Sequence, residues 1–108
     1  MVKYMTEVFV IYAGEYNYEG GLIGVASTFT KAIEKMIPTI KLYLGESERK
    51  ISLQNVIDKL YCMSENYPMK IQLDRSRTEL LERESKKDVW EFEYMYMYVS
   101  IQKVILDQ

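Results

Sequence analysis

Residues 88–106 read DVWEFEYMYMYVSIQKVIL, and this stretch decides the fold because aromatic and β-branched residues alternate along it without a helical period. Such alternation is typical of a β-strand, in which successive side chains point to opposite faces of the sheet. We therefore predict one long strand, and which of its faces is exposed stays open. One face would carry Trp90, Phe92, Tyr94, Tyr96 and Tyr98, and the other Glu91, Glu93, Met95, Met97, Val99 and Ile101.

The amino-terminal residues predict a second strand that is followed by a turn. Both alternating sets of residues 2–13 contain apolar side chains, which is typical of a strand that is covered on two faces near residues 8–11. Residues 14–21 carry turn formers, and residues 22–26 are short and apolar. The expected result is a β-hairpin with a rather long loop.

Helical segments are expected in the middle of the chain. Ser27 or Thr28 can cap the first helix, because a side-chain oxygen there accepts hydrogen bonds from the free amides of the first turn. Pro38 either bends this helix or divides it in two, and Gly45 ends it. Ser52 can cap another helix, which follows it directly.

The region between the helices and the final strand is harder to assign. Ile71 and Leu73 indicate a short strand. Residues 75–88 fit either a helix or a strand, because Ser76 with Glu79 matches a capping box while the run ESKKD suits a turn between two strands. We favour extended structure for these residues.

Together these elements predict one α+β domain over residues 1–108, with an antiparallel sheet and two or three helical segments packed on one face. A chain of 108 residues suits a single hydrophobic core, and its 48 % apolar content is ordinary for a globular protein. Helices on one side only would leave the other face of the sheet open.

Charge and cysteine content limit the class of partner and the cellular setting. The formal net charge of −2 gives no general attraction to polyanions, so we do not expect nucleic acid as a partner. The single cysteine, Cys62, cannot form an intramolecular disulfide; it follows an apolar helical stripe and is expected to be buried. No apolar run approaches the ~18 residues of a membrane span, so we expect a cytoplasmic protein that binds no membrane.

The sequence offers little catalytic equipment. It contains no histidine, the commonest general base near neutral pH and a frequent zinc ligand. Glu15 with Glu19 and Glu91 with Glu93 are the candidate carboxylate pairs, and the second pair shares one strand face. We interpret both pairs as solvated, because charged residues are mostly exposed. We therefore expect no enzymatic activity, no metal and no cofactor.

Tyrosine is unusually frequent, with ten in the chain and three in the run YMYMY. Tyrosine and methionine are favoured at protein interfaces, so this run is either part of the core or an interface. An interface would bind a host protein or a second copy of the chain, the latter by pairing along an exposed edge of the C-terminal strand. The predicted partner-binding residues are Glu15, Tyr16, Tyr18, Glu19, Glu91, Glu93, Tyr94, Tyr96 and Tyr98.

An alternative hypothesis is that the protein binds a small ligand. A nucleotide or signalling molecule would stack on tyrosine rings, and nearby cations would contact its phosphates. The cations predicted for this role are Lys70, Arg75 and Arg77.

The opening of the chain also carries a resemblance to known proteins. The strand VFVIY, the acidic aromatic turn GEYNYEGG, the run IGVAST and the segment TKAIEKM are similar to the opening of small proteins of unknown function encoded by phages and low-GC Gram-positive bacteria. The resemblance covers about the first 40 of the 108 residues, and the helix expected near residues 52–66 departs from its pattern. It implies a hairpin followed by a helix and an accessory role, and it implies no activity. From the missing catalytic residues, the modest acidity and the Tyr/Met-rich terminal strand we predict a non-enzymatic binding protein, such as a phage-encoded inhibitor of a host defence protein.

Overall fold

The computed structural model describes residues 5–16, 20–45 and 50–107, which form an α+β fold as predicted. In chain order the elements are β1 (Met5–Glu15), β2 (Gly21–Ala26), α1 (Phe29–Leu44), α2 (Leu53–Tyr61), β3 (Met69–Leu73), β4 (Leu80–Glu84), β5 (Val89–Tyr94) and β6 (Met97–Asp107). The six strands form one sheet in the order β2-β1-β6-β5-β3-β4. Within the described ranges, neither helix has the length and apolar character needed to cross a membrane.

The chain reverses direction inside the stretch for which alternation predicts one long strand. β5 ends at Tyr94 and β6 begins at Met97, so Met95 and Tyr96 form a two-residue turn between antiparallel strands. The one-strand prediction is wrong because the alternation continues through the turn, where no glycine, asparagine or proline marks it. Met95 adopts the left-handed backbone conformation, with φ 57°. Tyr94 therefore faces the core, whereas Tyr98 lies on the opposite face of the sheet.

One pair of strands makes the sheet mixed, which corrects the prediction of an antiparallel sheet. β3 is antiparallel to β4 on its outer side and parallel to β5 on its inner side. After β4 the chain passes the start of β3, where the Ser85 amide donates to the Pro68 carbonyl at 3.1 Å. The chain reverses direction once between β3 and β4 and again between β4 and β5, so β5 runs parallel to β3.

The C-terminal strand lies inside the sheet. β6 pairs with β1 over its whole length, and residues 97–102 also pair with β5. The outer strands of the sheet are β2 and β4. Along residues 97–102 β6 therefore offers no exposed edge for the predicted pairing with a second copy, whereas residues 103–107 are paired with β1 alone among the described strands.

The opening of the chain folds as the predicted hairpin and helix. β1 and β2 pair antiparallel, with one register shift near the middle of β1. The Thr28 side chain caps α1 by accepting from the Lys31 amide at 3.2 Å, and Gly45 ends the helix with φ 62°. Pro38 lies within one continuous helix, on its exposed side.

The later elements agree in part with the prediction. Ser52 caps α2, and its amide donates to the Asn55 side chain at 2.8 Å to complete a capping box. Extended structure within residues 75–88 is confirmed, since β4 lies there between two turns. Cys62 follows α2 and is exposed, so the expectation of a buried thiol is wrong.

The hydrophobic core lies between the helices and one face of the sheet. At its centre the ring centroids of Phe29 on α1 and Trp90 on β5 are 4.9 Å apart, and Phe9 of β1 contacts both rings. Ile40 of α1 and Leu60 of α2 are completely buried beside this group. Each such side chain contributes roughly 1.5–3 kcal/mol through burial, so the covered face of the sheet stabilises the fold.

Candidate functional site

Alternate side chains of the sheet point away from the helices and form a second face, which we call the open face. It has two halves that differ in charge. The uncharged half, on β2, β1 and β6, consists of Thr6, Val8, Val10, Tyr12, Leu22, Val25, Ser100, Gln102, Val104 and Leu106. The charged half, on β5, β3 and β4, consists of Lys70, Gln72, Leu81, Arg83, Val89, Glu91 and Glu93.

Five side chains meet in a hydrogen-bonded group on the charged half, which we call the polar cluster. The Lys70 Nζ atom lies 2.5 Å from a Glu93 carboxylate oxygen and 3.5 Å from a Glu91 oxygen. The Tyr16 hydroxyl donates to Glu93 at 2.8 Å and accepts from Lys70 at 3.4 Å. Gln72 donates to the other Glu93 oxygen at 3.4 Å. Each member thus restricts the position of the others.

Strand register explains why these side chains meet. β3 and β5 run parallel, which places Lys70 opposite Glu91 on the same face. Tyr16 follows β1, two strands away from β5, and reaches Glu93 by passing over β6. There its ring centroid lies 5.4 Å from that of Tyr98.

Burial and neighbouring charges shift the pKa values within the polar cluster. Partial burial, helped by the hydrogen bond to Glu93, raises the pKa of Tyr16 from 10.0 to about 12. Burial acts to lower the pKa of Lys70, but its contacts with Glu93, Tyr16 and Glu91 outweigh burial and raise that pKa. Burial also raises the pKa of Glu91, against the opposing effect of Lys70. At neutral pH Tyr16 is therefore a neutral donor and Lys70 a cation.

A cavity of about 390 Å³ opens beside the polar cluster. Its volume falls in the lower part of the range for small-molecule sites, roughly 300–1,000 Å³. The lining mixes cations, carboxylates and hydroxyls, and consists of Tyr16, Lys70, Glu84, Ser85, Lys86, Val89, Glu91 and Ser100. Such a lining offers hydrogen-bond donors and acceptors but little apolar contact.

Two chain connections meet at one end of the sheet. The Tyr16 amide donates to the Tyr96 carbonyl at 2.9 Å, which joins the end of β1 to the turn between β5 and β6. Tyr16 is 49 % exposed, Tyr96 is 62 % exposed, and Met95 and Glu15 are exposed beside them. We call these four residues the aromatic tip.

Tyr98 supports the aromatic tip from the open face. Its ring packs so closely against Gly14 and Gly20 that a Cβ atom on either glycine would crowd the Tyr98 hydroxyl. The Tyr43 hydroxyl, on α1, donates to the Tyr98 carbonyl at 3.2 Å. Burial, followed by the nearby Glu15 carboxylate, raises the pKa of Tyr43 and keeps it protonated as this donor.

The structure places the predicted partner-binding residues in different parts of the molecule. Tyr94 is buried in the core, where the Arg77 side chain donates to its hydroxyl. Tyr18 and Glu19 lie outside the described residues. On or beside the open face are Tyr16, Glu91, Glu93 and Tyr98, and at the aromatic tip are Glu15, Tyr16 and Tyr96.

The three predicted phosphate-contacting cations do not share one site. Lys70 belongs to the polar cluster, and Arg75 is exposed in the turn after β3. Arg77 is buried: its Nε atom donates to the Tyr94 hydroxyl at 3.2 Å, and another guanidinium nitrogen donates to the Leu44 carbonyl at the end of α1. Arg77 therefore has a structural role inside the protein.

Several residues of the site are not identifiable from the sequence. Gln72, Ser85, Lys86 and Ser100 are ordinary polar residues with no distinctive spacing, and only the folded chain brings them beside Lys70. In residues 5–16, 20–45 and 50–107, no group of three or more Cys, Asp or Glu side chains is arranged to hold a metal ion.

Comparison with known proteins adds no relative from which a function could be transferred. No family model, no curated protein and no solved structure matches this chain. Function is therefore inferred from the geometry of the open face and the aromatic tip.

Proposed function

We propose that this protein works by binding another protein, with the aromatic tip as its main contact. One observation carries the proposal: Tyr16 is half exposed, yet Glu93, Lys70 and Tyr98 already hold its hydroxyl and ring. A side chain that is fixed before binding loses little conformational entropy when a partner covers it. Tyr16 thus has the properties of a preorganised anchor.

The neighbours of Tyr16 add contact area at the same end of the sheet. Tyr96 and Met95 are exposed in the turn that is hydrogen-bonded to Tyr16. Tyrosine is among the residues that dominate binding energy at interfaces, where truncation of a central anchor costs about 2 kcal/mol or more. Two tyrosines and a methionine, exposed on two connections that are hydrogen-bonded to each other, form a surface of the kind that such anchors require.

Acidic groups favour a partner with a basic surface. Glu15 is exposed at the aromatic tip, and the chain as a whole carries a formal net charge of −2. Complementary charges mainly accelerate association and select among partners. Occluding a site on a host protein, as an inhibitor does, needs only such a surface, and inhibition of this kind would be one form of the accessory role that the resemblance of the opening residues implies.

The test is capture of a partner with a matched pair of variants. We expect the wild-type chain to retain a protein from a lysate of a low-GC Gram-positive bacterium, and the Tyr16→Ala/Tyr96→Ala variant to lose it. Tyr67→Ala is the control, because Tyr67 is 71 % exposed, more than Tyr16 or Tyr96, but lies in the loop before β3. Circular dichroism should show that all three proteins are folded.

Two results would contradict the proposal. One is retention of the same protein by the wild type and by the double variant. The other is loss of the partner in the Tyr67→Ala control, which would place the contact elsewhere. Capture must also weaken as salt is added, because rim charges are screened within roughly 8 Å at physiological ionic strength.

A second candidate function is binding of a small polar ligand in the cavity beside the polar cluster. The observation that favours it is the cavity of about 390 Å³, which has Tyr16 on one side and both Lys70 and Lys86 in its lining. Lys70 is one of the cations predicted for phosphate contact, whereas Arg77 is buried in the core. Carboxylates of Glu84 and Glu91 share the lining, which favours a ligand that both donates and accepts hydrogen bonds.

Thermal unfolding in the presence of nucleotides, sugars and amino acids tests this candidate. A ligand at a hundred times its dissociation constant stabilises the folded state by roughly 2.7 kcal/mol, which is readily measured as a higher Tm. The Lys86→Ala variant should lose the shift, while a change at the exposed Lys50, outside the cavity, should retain it. An unchanged Tm across the panel would argue against a ligand of these classes.

A further inference from the structure

The uncharged half of the open face is a surface separate from the aromatic tip, and most of its side chains are apolar. Leu22 is 60 % exposed and Val25 is 51 % exposed on β2, Tyr12 of β1 is exposed opposite Leu22, and Leu106 of β6 is exposed opposite Thr6 towards the start of β1. Val10, in the middle of β1, lies between Val25 on one side and Gln102 on the other. These side chains form a continuous surface across three neighbouring strands. An exposed apolar patch of this kind usually marks an interaction surface.

The charge pattern of this half indicates what can pack on it. Among the described open-face positions of β2, β1 and β6, none carries a charged side chain, and the polar groups belong to Thr6, Ser100 and Gln102 and to the hydroxyls of Tyr12 and Tyr98. In a two-fold interface the same patch occurs on both subunits, so a charge near the axis would meet its own copy. The uncharged half avoids this repulsion, so its apolar side chains can pack against those of a second copy.

The shape and size of the surface also fit a second sheet. β1 and β6 pair over residues 5–15 and 97–107. At about 3.4 Å per residue and about 4.8 Å between strands, β2, β1 and β6 present roughly 500 Å². Two copies would bury roughly 1,000 Å², which just reaches the minimum of about 1,000 Å² for a specific interface and lies in the range of weak ones. This area predicts a dimer that dissociates on dilution.

We propose that a second copy of this chain packs on the uncharged half, sheet face against sheet face, about a two-fold axis near Val10. Apolar side chains of both copies interdigitate as in a β-sandwich, where two sheets pack ~10 Å apart. The charged half and the aromatic tip lie outside this contact in each copy. The dimer therefore presents two partner-binding tips, and its formation does not depend on the function proposed for them.

Analytical ultracentrifugation of the full chain from micromolar to millimolar concentration tests the proposal. The expected mass rises from 12.8 kDa towards twice that value as concentration increases. Val25→Glu should abolish the rise, because it places a charge within the contact and opposite its own copy. Leu42→Glu is the matched control: Leu42 is 82 % exposed on α1, on the helical side, and this variant should self-associate like the wild type.

A wild-type mass that stays at the monomer value over the whole range would overturn the proposal and would leave the surface to a different protein. Self-association of Val25→Glu equal to that of the wild type would also overturn it. The Tyr16→Ala/Tyr96→Ala variant should dimerise normally. Failure of partner capture and failure of dimerisation are therefore separate results.

Cross-linking locates the contact directly. In a Cys62→Ser background, Val10→Cys should form a disulfide-linked dimer on mild oxidation, since its two copies would lie close to the axis. Leu42→Cys in the same background should remain monomeric. Cross-linking of Leu42→Cys at the same or a faster rate than Val10→Cys would place any dimer contact on the helical side and contradict the proposal.

Discussion

Lys70 and Arg77 show how burial decides the role of a cation in this protein. Lys70 is partly exposed on the open face between two carboxylates, whereas Arg77 is buried and donates to Tyr94 and to the end of α1. The turn that carries Arg77 is itself fixed by Asp74, whose carboxylate accepts from the Glu79 amide and from groups of the same turn. These hydrogen bonds lower the pKa of Asp74 well below its ordinary value. The sequence shows only that both residues are basic, so it cannot separate their roles.

Replacing Arg77 should destabilise the fold. Arg77→Met keeps most of the side-chain volume but removes the donors to Tyr94 and Leu44, so the Leu44 carbonyl and the Tyr94 hydroxyl lose a buried partner. We expect a loss of about 2–4 kcal/mol in the free energy of unfolding, measured in urea. Arg75→Met, in the exposed part of the same turn, should change it by less than about 0.5 kcal/mol. Equal effects of the two variants would show that Arg77 has no structural role.

Tyr16 should make stability depend on pH in the alkaline range. The folded protein holds the Tyr16 proton more tightly than the unfolded chain, because the pKa is about 12 when folded and 10.0 otherwise. The contribution of this group to stability is therefore complete below pH 10.0 and is lost as the pH rises to about 12.

The measurement is urea unfolding of the wild type and of Tyr16→Phe on both sides of pH 10.0. The stability difference between the two proteins should narrow as the pH rises above that value, since phenylalanine has no proton to lose. A difference that stays constant from neutral to strongly alkaline pH would contradict the predicted shift.

At the scale of elements, local sequence patterns predict where a helix begins and where it ends. The caps Thr28 and Ser52 and the terminator Gly45 are read correctly because each acts within one helical turn. The turn at Met95 and Tyr96 is missed because its residues match the alternation of the strands that flank it. The parallel pairing of β3 and β5 is missed for a different reason. It arises because β5 pairs with β3 on the side opposite to β4, and no local pattern specifies that choice.

At position 95, in the turn between β5 and β6, glycine should be at least as favourable for stability as methionine. Met95 has φ 57°, a conformation that costs an L-residue about 1 kcal/mol and glycine almost nothing. Met95→Gly should therefore leave the free energy of unfolding unchanged or raise it by up to about 1 kcal/mol. Tyr96→Gly, at the neighbouring position without a positive φ, should lower it. Greater destabilisation by Met95→Gly than by Tyr96→Gly would contradict the turn geometry.

The packing of the β1–β2 hairpin against Tyr98 requires a residue without a side chain at position 20. A Cβ atom at Gly20 would crowd the Tyr98 hydroxyl and would lie 3.0 Å from the Ala13 carbonyl oxygen. Gly20→Ala should lower the free energy of unfolding by about 1–3 kcal/mol, as overpacking does. Gly21→Ala is the control, because nothing lies within 4 Å of a Cβ at that position. Equal stability of the two variants would show that the hairpin does not pack on Tyr98 in this way.

At the scale of the whole molecule, the proposed function depends on a sheet that is covered on one face. Composition and periodicity suffice to predict an α+β fold with helices on one side, because the apolar residues of α1 and α2 must be buried against a sheet. The polar cluster depends on Tyr16, Lys70 and Glu93, which lie far apart in sequence, so register and topology are needed to find it. The division of the open face into charged and uncharged halves likewise requires the strand order.

The most direct test of the account is a concentration series of ¹H–¹⁵N NMR spectra of the full chain. We predict that amide resonances of the uncharged half, at Val10, Val25 and Val104, move progressively as the chain concentration rises. Resonances on the outer side of α1, such as that of Leu42, should stay in place. Movement confined to α1, or no movement on the open face up to millimolar chain, would contradict the claim that a second copy of the chain packs on this face.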